Sequence, residues 1–480
     1  MSLKEKTLSG IIWSVGQQFG TKLISFLITI VLARLLVPSE FGLIAMLSVL
    51  VALGNSLTDS GLSSSLIRTA DASQREFSTV FFFNLVGSCV IYLILFFAAP
   101  AIASFYDHPI LIKIVRVYGL TLIINGFFCI QNACLVKNMD FKTQTNIQLP
   151  ASIGGGIVGI VLAKMGYGVW SLVWMNLMTS LLSTILHWVY SAWRPIFVFD
   201  YSSFKKHFHF GYKMTLSGLL NTVYQNIYTL IIGKYYSATQ LGFYSRADSM
   251  SQLPIGIISS TVNTVTYPMF SKIADDDHKL KAVNKRLIQQ LVFWIAPILI
   301  LLCVIAEPLF RFVLTEKWLP AVPYFQILCI SGIIYPIQSF NLNILKVKGR
   351  SDSLLRVEFI KKSLSVLGIF GVLSFGIYGL LYFQLFFNFF SYYLNTIYSG
   401  KLINYHFKEQ VLDFLPTILL SIIVGAFSYA LDVFLTKQFN LITPLEILII
   451  SGFYFIVYLG VSYLIKMNAI TDFTNLIFKR

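Results

Sequence analysis

Apolar runs of about 20 to 28 residues follow one another along nearly all of this chain, and no other feature constrains its fold as much. Each run is long enough to cross roughly 30 Å of hydrocarbon as a helix. Within hydrocarbon a lone segment satisfies its own backbone hydrogen bonds only as a helix. About fourteen such runs are legible. They lie near 10–37, 41–66, 77–104, 111–136, 145–165, 168–190, 208–236, 242–270, 287–313, 321–346, 355–376, 379–400, 411–436 and 443–465. The expected fold is therefore an all-α polytopic membrane protein, with two pseudo-symmetric six-helix lobes and two additional transmembrane helices. The expected boundaries are an N-terminal lobe at 1–190, a cytoplasmic linker at 191–207, a C-terminal lobe at 208–400, and the last two helices with a cytoplasmic tail at 401–480. The connections are short, which places function within or beside the membrane.

The pseudo-symmetry is read from a repeat. Ala33-Arg34-Leu35-Leu36-Val37-Pro38-Ser39-Glu40-Phe41-Gly42 closes the first run on a small residue and a cation. Gly233-Lys234-Tyr235-Tyr236-Ser237-Ala238-Thr239-Gln240-Leu241-Gly242 repeats that plan without a gap, Gly42 falling on Gly242. Matched halves are the usual ground plan of secondary transporters, whose substrate site lies between the repeats near the bilayer midplane.

A net charge of +15 would suggest nucleic acid in a soluble protein, but here its distribution follows topology. Roughly 26 lysines and arginines fall at one set of alternate run ends, against about 8 at the other. Both termini are expected to be cytoplasmic, and no nucleic-acid partner is implied. The five cysteines lie in apolar runs without ligand spacing and read as small core residues. Asp275-Asp276-Asp277-His278 sits in a lysine-rich loop and reads as a solvated charge cluster, not a metal site. Gly154-Gly155-Gly156, within a run, reads as a close-packing surface. No G-x-x-x-x-G-K-[ST] loop occurs, so neither ATP nor any other cofactor is implied.

The informative residues are the polar ones that hydrocarbon should reject. Ser14, Gln18, Thr21, Lys22 and Ser25 recur at three- and four-residue steps on one face of the first helix. Lys22 lies near mid-span, where a charge costs several kcal/mol unless it meets water, a counter-charge or a ligand. The second run adds Asn55 and Asp59, the latter a candidate for ion coupling or a salt bridge. The seventh repeats the stripe with Lys213, Ser217, Asn221 and Gln225, and the eighth opens with Arg246 and Asp248. Lys22, Arg34, Lys213, Lys234 and Arg246 are the candidate substrate-binding cations of a central cavity. Gln18, Asn55, Asn221 and Gln225 are its candidate polar lining, and Asp59 and Asp248 its candidate coupling or salt-bridge acids. The competing reading of Arg34 and Lys234 is that they snorkel at helix ends, and of Lys213 that it anchors the interface. Asn221 and Gln225 could equally hold helices together.

Several stretches carry a resemblance. Gly10-Ile11-Ile12-Trp13, the turn from Leu32 to Gly42, Asp59-Ser60-Gly61-Leu62, Gly166-Tyr167-Gly168-Val169-Trp170, Phe210-Gly211-Tyr212-Lys213, Tyr267-Pro268, Glu316-Lys317-Trp318 and Gly349-Arg350-Ser351-Asp352 come in this order. Over roughly the first 360 residues the chain resembles the polysaccharide exporters of the multidrug/oligosaccharidyl-lipid/polysaccharide superfamily, closest to Wzx-like exporters of colanic-acid or teichuronic-acid type. The resemblance implies a non-enzymatic flippase of a bacterial cytoplasmic membrane. Its substrate would be an undecaprenyl-pyrophosphate-linked oligosaccharide, moved to the outer leaflet for O-antigen, capsule or exopolysaccharide assembly. The implied partners are that substrate, the bilayer, and a polymerase with its assembly proteins. The alternatives are a cation-coupled drug exporter of the same superfamily, which should concentrate membrane acids, and a membrane glycosyltransferase or polymerase, which should carry a large outer loop.

Overall fold

The computed structural model describes residues 3–59, 61–438 and 442–472, with backbone alone at 3–15, 18, 260, 261 and 263–265. Its described residues are helical nearly throughout. Among the described residues nine helices are long and apolar enough to cross a membrane, ten when one bent pair counts as a span. The protein is an all-helical multi-pass membrane protein.

The chain forms two compact units, Met1–Ser245 and Arg246–Arg480. Helices of the first are α1 (Leu3–Leu35), α2 (Pro38–Asp59), α3 (Leu62–Arg68), α4 (Gln74–Tyr106), α5 (Ile110–Tyr118), α6 (Leu120–Gly126), α7 (Cys129–Lys137), α8 (Phe141–Lys164), α9 (Val169–Tyr190), α10 (Tyr201–Gln225) and α11 (Ile227–Tyr235). The unit boundary falls within α12 (Ala238–Ser271). The second unit continues with α13 (Asp277–Val304), α14 (Ala306–Val313), α15 (Val322–Val347), α16 (Ser351–Val372), α17 (Gly376–Ile403), α18 (Phe407–Gln438) and α19 (Thr443–Leu464).

Several of the runs are interrupted or joined end to end. The run at 111–136 bends by 44° between α6 and α7. The run at 208–236 breaks at Asn226, between α10 and α11. Between α16 and α17 a 3-10 turn at Leu373–Phe375 ends on Gly376 at φ 73°, so the segments 355–376 and 379–400 are joined almost without a loop.

In the first unit α8 is sandwiched between α9 and α1. Its Gly154–Gly156 run makes this possible: a Cβ at Gly155 would lie 1.9 Å from Thr179 Oγ1 on α9, and one at Gly156 2.3 Å from Ile28 Cδ1 on α1. Here small residues let helices approach where hydrocarbon offers no hydrophobic drive. Helix α10 packs on α2, α3 and α4. In the second unit α13 packs on α15 and α18, α15 on α17, and α18 on α19. The Asp275–His278 segment is structural: Asp276 caps α13 by accepting from Lys279 N at 2.9 Å, and Asp277 pairs with Lys348. Among the described residues no cluster of metal-ligating side chains forms.

Candidate functional site

The repeat is geometrical as well as sequential. Helix α1 ends at Leu35 and α11 at Tyr235; α2 starts at Pro38 and α12 at Ala238. In the first copy Val37 N donates to Glu40 Oε2 at 2.9 Å, and in the second Ser237 N donates to Gln240 Oε1 at 3.3 Å, so the side chain at the matching position caps each new helix. The two turns also clasp each other. A Cβ at Gly42 would lie 1.8 Å from the Ala238 carbonyl oxygen, and a Cβ at Gly242 1.9 Å from that of Pro38. Only glycine fits at either place, and the reciprocity is that of a local two-fold axis.

Around this clasp Lys234 is already engaged. Its Nζ donates to the Phe105 carbonyl at 2.6 Å, lies 3.6 Å from Asp107, and sits over the Phe105 ring. A cation at the carbonyl end of α4 meets the negative pole of that helix. Its repeat mate Arg34 is exposed.

The stripes on α1 and α10 carry the rest. Lys22 is uncovered by protein, as is Ser25, while Thr21 donates to the Gln17 carbonyl at 2.7 Å. The side chains of Ser14 and Gln18 lie outside the described residues. Among its described residues α1 buries the polar Gln17, whose Nε2 donates to Gln148 Oε1 on α8 at 2.9 Å. On α10, Gly211 faces inward, where a Cβ on Gly61 would come within 2.7 Å of its carbonyl oxygen. Lys213, Ser217, Asn221 and Gln225 all lie uncovered. Counted back from the clasped turns along their helices, Lys22 lies about 20 Å down and Lys213 about 33 Å down, at 1.5 Å per residue.

Asn55 Oδ1 accepts from Asn125 Nδ2 at 3.3 Å, and Asp59 Oδ1 accepts from the Cys129 thiol at 3.6 Å. Both groups therefore bond within the first unit. Asp248 Oδ1, in the second, accepts weakly from Gln252 Nε2 at 3.5 Å. Arg246 is half-buried.

Comparison with known proteins follows from this geometry. The polysaccharide biosynthesis protein family matches residues 31–323. The chain belongs to that family. It is 26% identical over 354 residues to the teichuronic acid biosynthesis protein TuaB of Bacillus subtilis, covering 73% of each chain. It is 25% identical over 368 residues to the lipopolysaccharide biosynthesis protein WzxC of Escherichia coli, covering 76% of this chain and 75% of WzxC. Among solved structures it superposes on the lipid II flippase MurJ in an inward closed conformation with a TM-score of 0.74, at 15% identity, over 96% of this chain and all of MurJ. The motif resemblance thus holds at the level of family, and the fold is that of the superfamily it named.

Two clusters in this family member escaped the sequence reading. At the start of α4, Glu76 closes a capping box with Ser73 and accepts from Lys206 Nζ at 2.8 Å. Fully buried His207 on α10 lies 3.3 Å from the same carboxylate and hydrogen-bonds Ser65 at 2.8 Å. Residues 191–200 lie along α4: Ile196 N donates to Ser78 at 3.1 Å, Asp200 N to Thr79 at 3.0 Å, and the Trp193 ring packs on Phe77 and Phe81. Asp200 then caps α10, and the Ser203 hydroxyl and amide hold its carboxyl below the usual range. This segment is clamped by short-range chemistry, not loose.

The second cluster lies in the second unit. Asn341 Nδ2 donates to Thr396 Oγ1 and Gln410 Oε1 at 3.1 and 3.3 Å, Ser399 donates to Asn341 Oδ1 at 3.0 Å, and Tyr392 donates to Gln410 Oε1 at 2.9 Å. All five are buried. The available signal was the ladder Asn388, Tyr392, Asn395, Thr396, Ser399, which steps along one face of a phenylalanine-rich helix.

Proposed function

We propose that this protein is a carrier that moves a polyprenyl-pyrophosphate-linked oligosaccharide from the cytoplasmic to the outer leaflet by alternating access. The observation that carries the reading is Lys22: a lysine uncovered by protein, about 20 Å along its helix from the clasped turn, on a helix face bearing hydroxyl groups. In hydrocarbon such a charge costs several kcal/mol, so it belongs to a wet surface, where it can meet an anion. A pyrophosphate-linked glycan needs cations and hydrogen-bonding groups along its path. Lys213 at the interface would receive the pyrophosphate, Lys22 would hold it at mid-depth, and Asn221 and Gln225 would meet the sugars. Arg246 and Arg34 would add charge, with Gln18 and Asn55 as further lining.

Family membership supports the reading, and TuaB and WzxC are by name polysaccharide biosynthesis proteins. The distribution of lysine and arginine supports cytoplasmic termini, and with them fourteen spans, which would put the clasped repeat turns at the outer face. In this arrangement the lobes 1–190 and 208–400 alternate access by rocking, with 191–207 as the linker along the chain and 401–480 adding two further helices. Asp59 and Asp248 remain the acids for ion coupling. A drug exporter would call for acids on the uncovered stripes, and the described stripes of α1 and α10 carry lysine, serine and amides.

The test is leaflet translocation of a labelled polyprenyl-pyrophosphate oligosaccharide in proteoliposomes. Flipping above that of empty vesicles is expected. Gradient-driven uptake of a cationic dye with no flipping of several lipid-linked glycans would replace this reading by the drug exporter.

A further inference from the structure

The non-helical stretch that joins α9 to α10 exposes four apolar side chains in a row, Ile196, Phe197, Val198 and Phe199, and Phe197 is 95% exposed. Tyr201, the first residue of α10, is exposed as well. The Phe197 ring stacks on Phe82 of α4 at 5.5 Å between centroids, and Phe204 packs on Phe199, on Phe83 of α4 and on Phe208. These rings make one aromatic surface on the first unit, and protein leaves its outer rim of Phe197, Phe199 and Tyr201 uncovered.

The depth of that rim is read from α4. From Phe77 to Tyr106 this helix carries no charged residue and runs about 45 Å. A bilayer with its headgroup regions is about as thick, and its hydrocarbon takes up only about 30 Å. The stretch meets α4 in the first turns of that length, where Ile196 N donates to Ser78 Oγ at 3.1 Å and Asp200 N to Thr79 Oγ1 at 3.0 Å. It therefore lies among the headgroups, where water can meet a non-helical backbone. The charge there is positive. Residues 191–206 and the first turn of α4 contribute Arg75, Arg194, Lys205 and Lys206 against Glu76 and Asp200. Lys206 pairs with Glu76, and Arg194 donates to the carbonyls of Trp188, Ser191 and Trp193. Asp200 accepts from the amides of Ser202 and Ser203. Arg75 and Lys205 are exposed. Aromatic rings at headgroup depth beside exposed cations complement a lipid surface of negative charge.

We propose that residues 196–205 form a membrane-surface anchor for anionic phospholipid. Phe197, Phe199 and Tyr201 enter the boundary between headgroups and acyl chains, and Arg75 and Lys205 hold the headgroups. The anchor uses none of the cations assigned to the transported substrate.

The experiment places a photoreactive benzophenone amino acid at position 197 of the full chain, in vesicles of equal phosphatidylglycerol and phosphatidylcholine, and identifies by mass spectrometry what it captures. Phospholipid adducts should dominate, with phosphatidylglycerol exceeding phosphatidylcholine roughly fivefold, the factor expected for one basic side chain at an anionic surface. With Arg75→Gln and Lys205→Gln added, the adducts should persist and the two lipids should be captured about equally. Absence of phospholipid adducts, or capture of a second copy of this chain in their place, overturns the proposal. So does equal capture of the two lipids with both cations present, or a preference that survives their substitution. None of these readouts involves the transported substrate, so a failure here leaves the proposed function standing.

Discussion

Polar residues enter the membrane region in two ways in this molecule, and the contrast separates packing from function. In the second unit Asn341, Tyr392, Thr396, Ser399 and Gln410 are buried and bond to one another, so each donor and acceptor is spent inside the protein. Their surroundings are charged but paired: Tyr405 donates to Asp413 at 2.7 Å, Lys285 lies 2.7 Å from Asp413, and Lys281 lies 2.7 Å from Glu409. In the first unit Lys22, Ser25, Lys213, Ser217, Asn221 and Gln225 are uncovered. A group that is spent inside stabilises the fold, whereas one left uncovered at membrane depth needs water or a ligand.

If that contrast is real, the largest effect on stability comes from the buried knot. Gln410→Leu removes the acceptor of Asn341 and Tyr392 and the donor to the Tyr405 carbonyl at once, stranding buried groups. It should destabilise the protein by about 3 kcal/mol, measured as a lowered thermal transition in detergent. An unchanged transition would show that the knot is not a stabilising network.

Next come the lysines, with the opposite signature. Lys22→Gln should reduce flipping per folded molecule roughly tenfold, the scale of one charge-assisted contact, and leave the thermal transition within about 0.5 kcal/mol of the unaltered protein. Lys213→Gln should act in the same direction and more weakly, because its interfacial depth allows headgroups to compete. A loss of folded protein that accounts for the lost flipping would place these lysines with the knot.

A smaller effect is expected for Asn221→Leu. An uncovered residue on α10 has no internal partner to strand, so stability should hold while flipping falls by roughly a factor of two to three. A stability loss of the size seen for Gln410→Leu would show that α10 buries this face. Smallest on the fold is Asp59→Asn, which keeps an oxygen to accept from Cys129. Thermal stability should change by less than about 1 kcal/mol. Loss of gradient dependence in the flipping assay would support the coupling role; unaltered gradient dependence would exclude it.

Much of this was legible before any coordinates. Helix-length apolar runs gave the class, and the repeat at Gly42 and Gly242 named two turns that do clasp each other. The stripe on α10, placed on one side by its three- and four-residue steps, lies uncovered in the structure. What those steps do not report is which side a neighbour covers. Gln18 was chosen on α1 and its side chain lies outside the described residues, while its neighbour Gln17 bonds to α8. The groups that engage Lys234, Phe105 and Asp107, are more than a hundred residues away in sequence, so its own stretch does not show them. The Glu76–Lys206–His207–Ser65 cluster was hidden for the same reason. Its members belong to three helices, and the short linker before α10 gives no sign in composition that it lies along α4.

The most direct test of the account is the pair of measurements on one preparation of Lys22→Gln: flipping of a labelled polyprenyl-pyrophosphate oligosaccharide per folded molecule, and the thermal transition of the same sample. The account predicts a transition like that of the unaltered protein with flipping reduced roughly tenfold. Full flipping at an unchanged transition would contradict it, since the uncovered Lys22 would then have no part in moving the substrate.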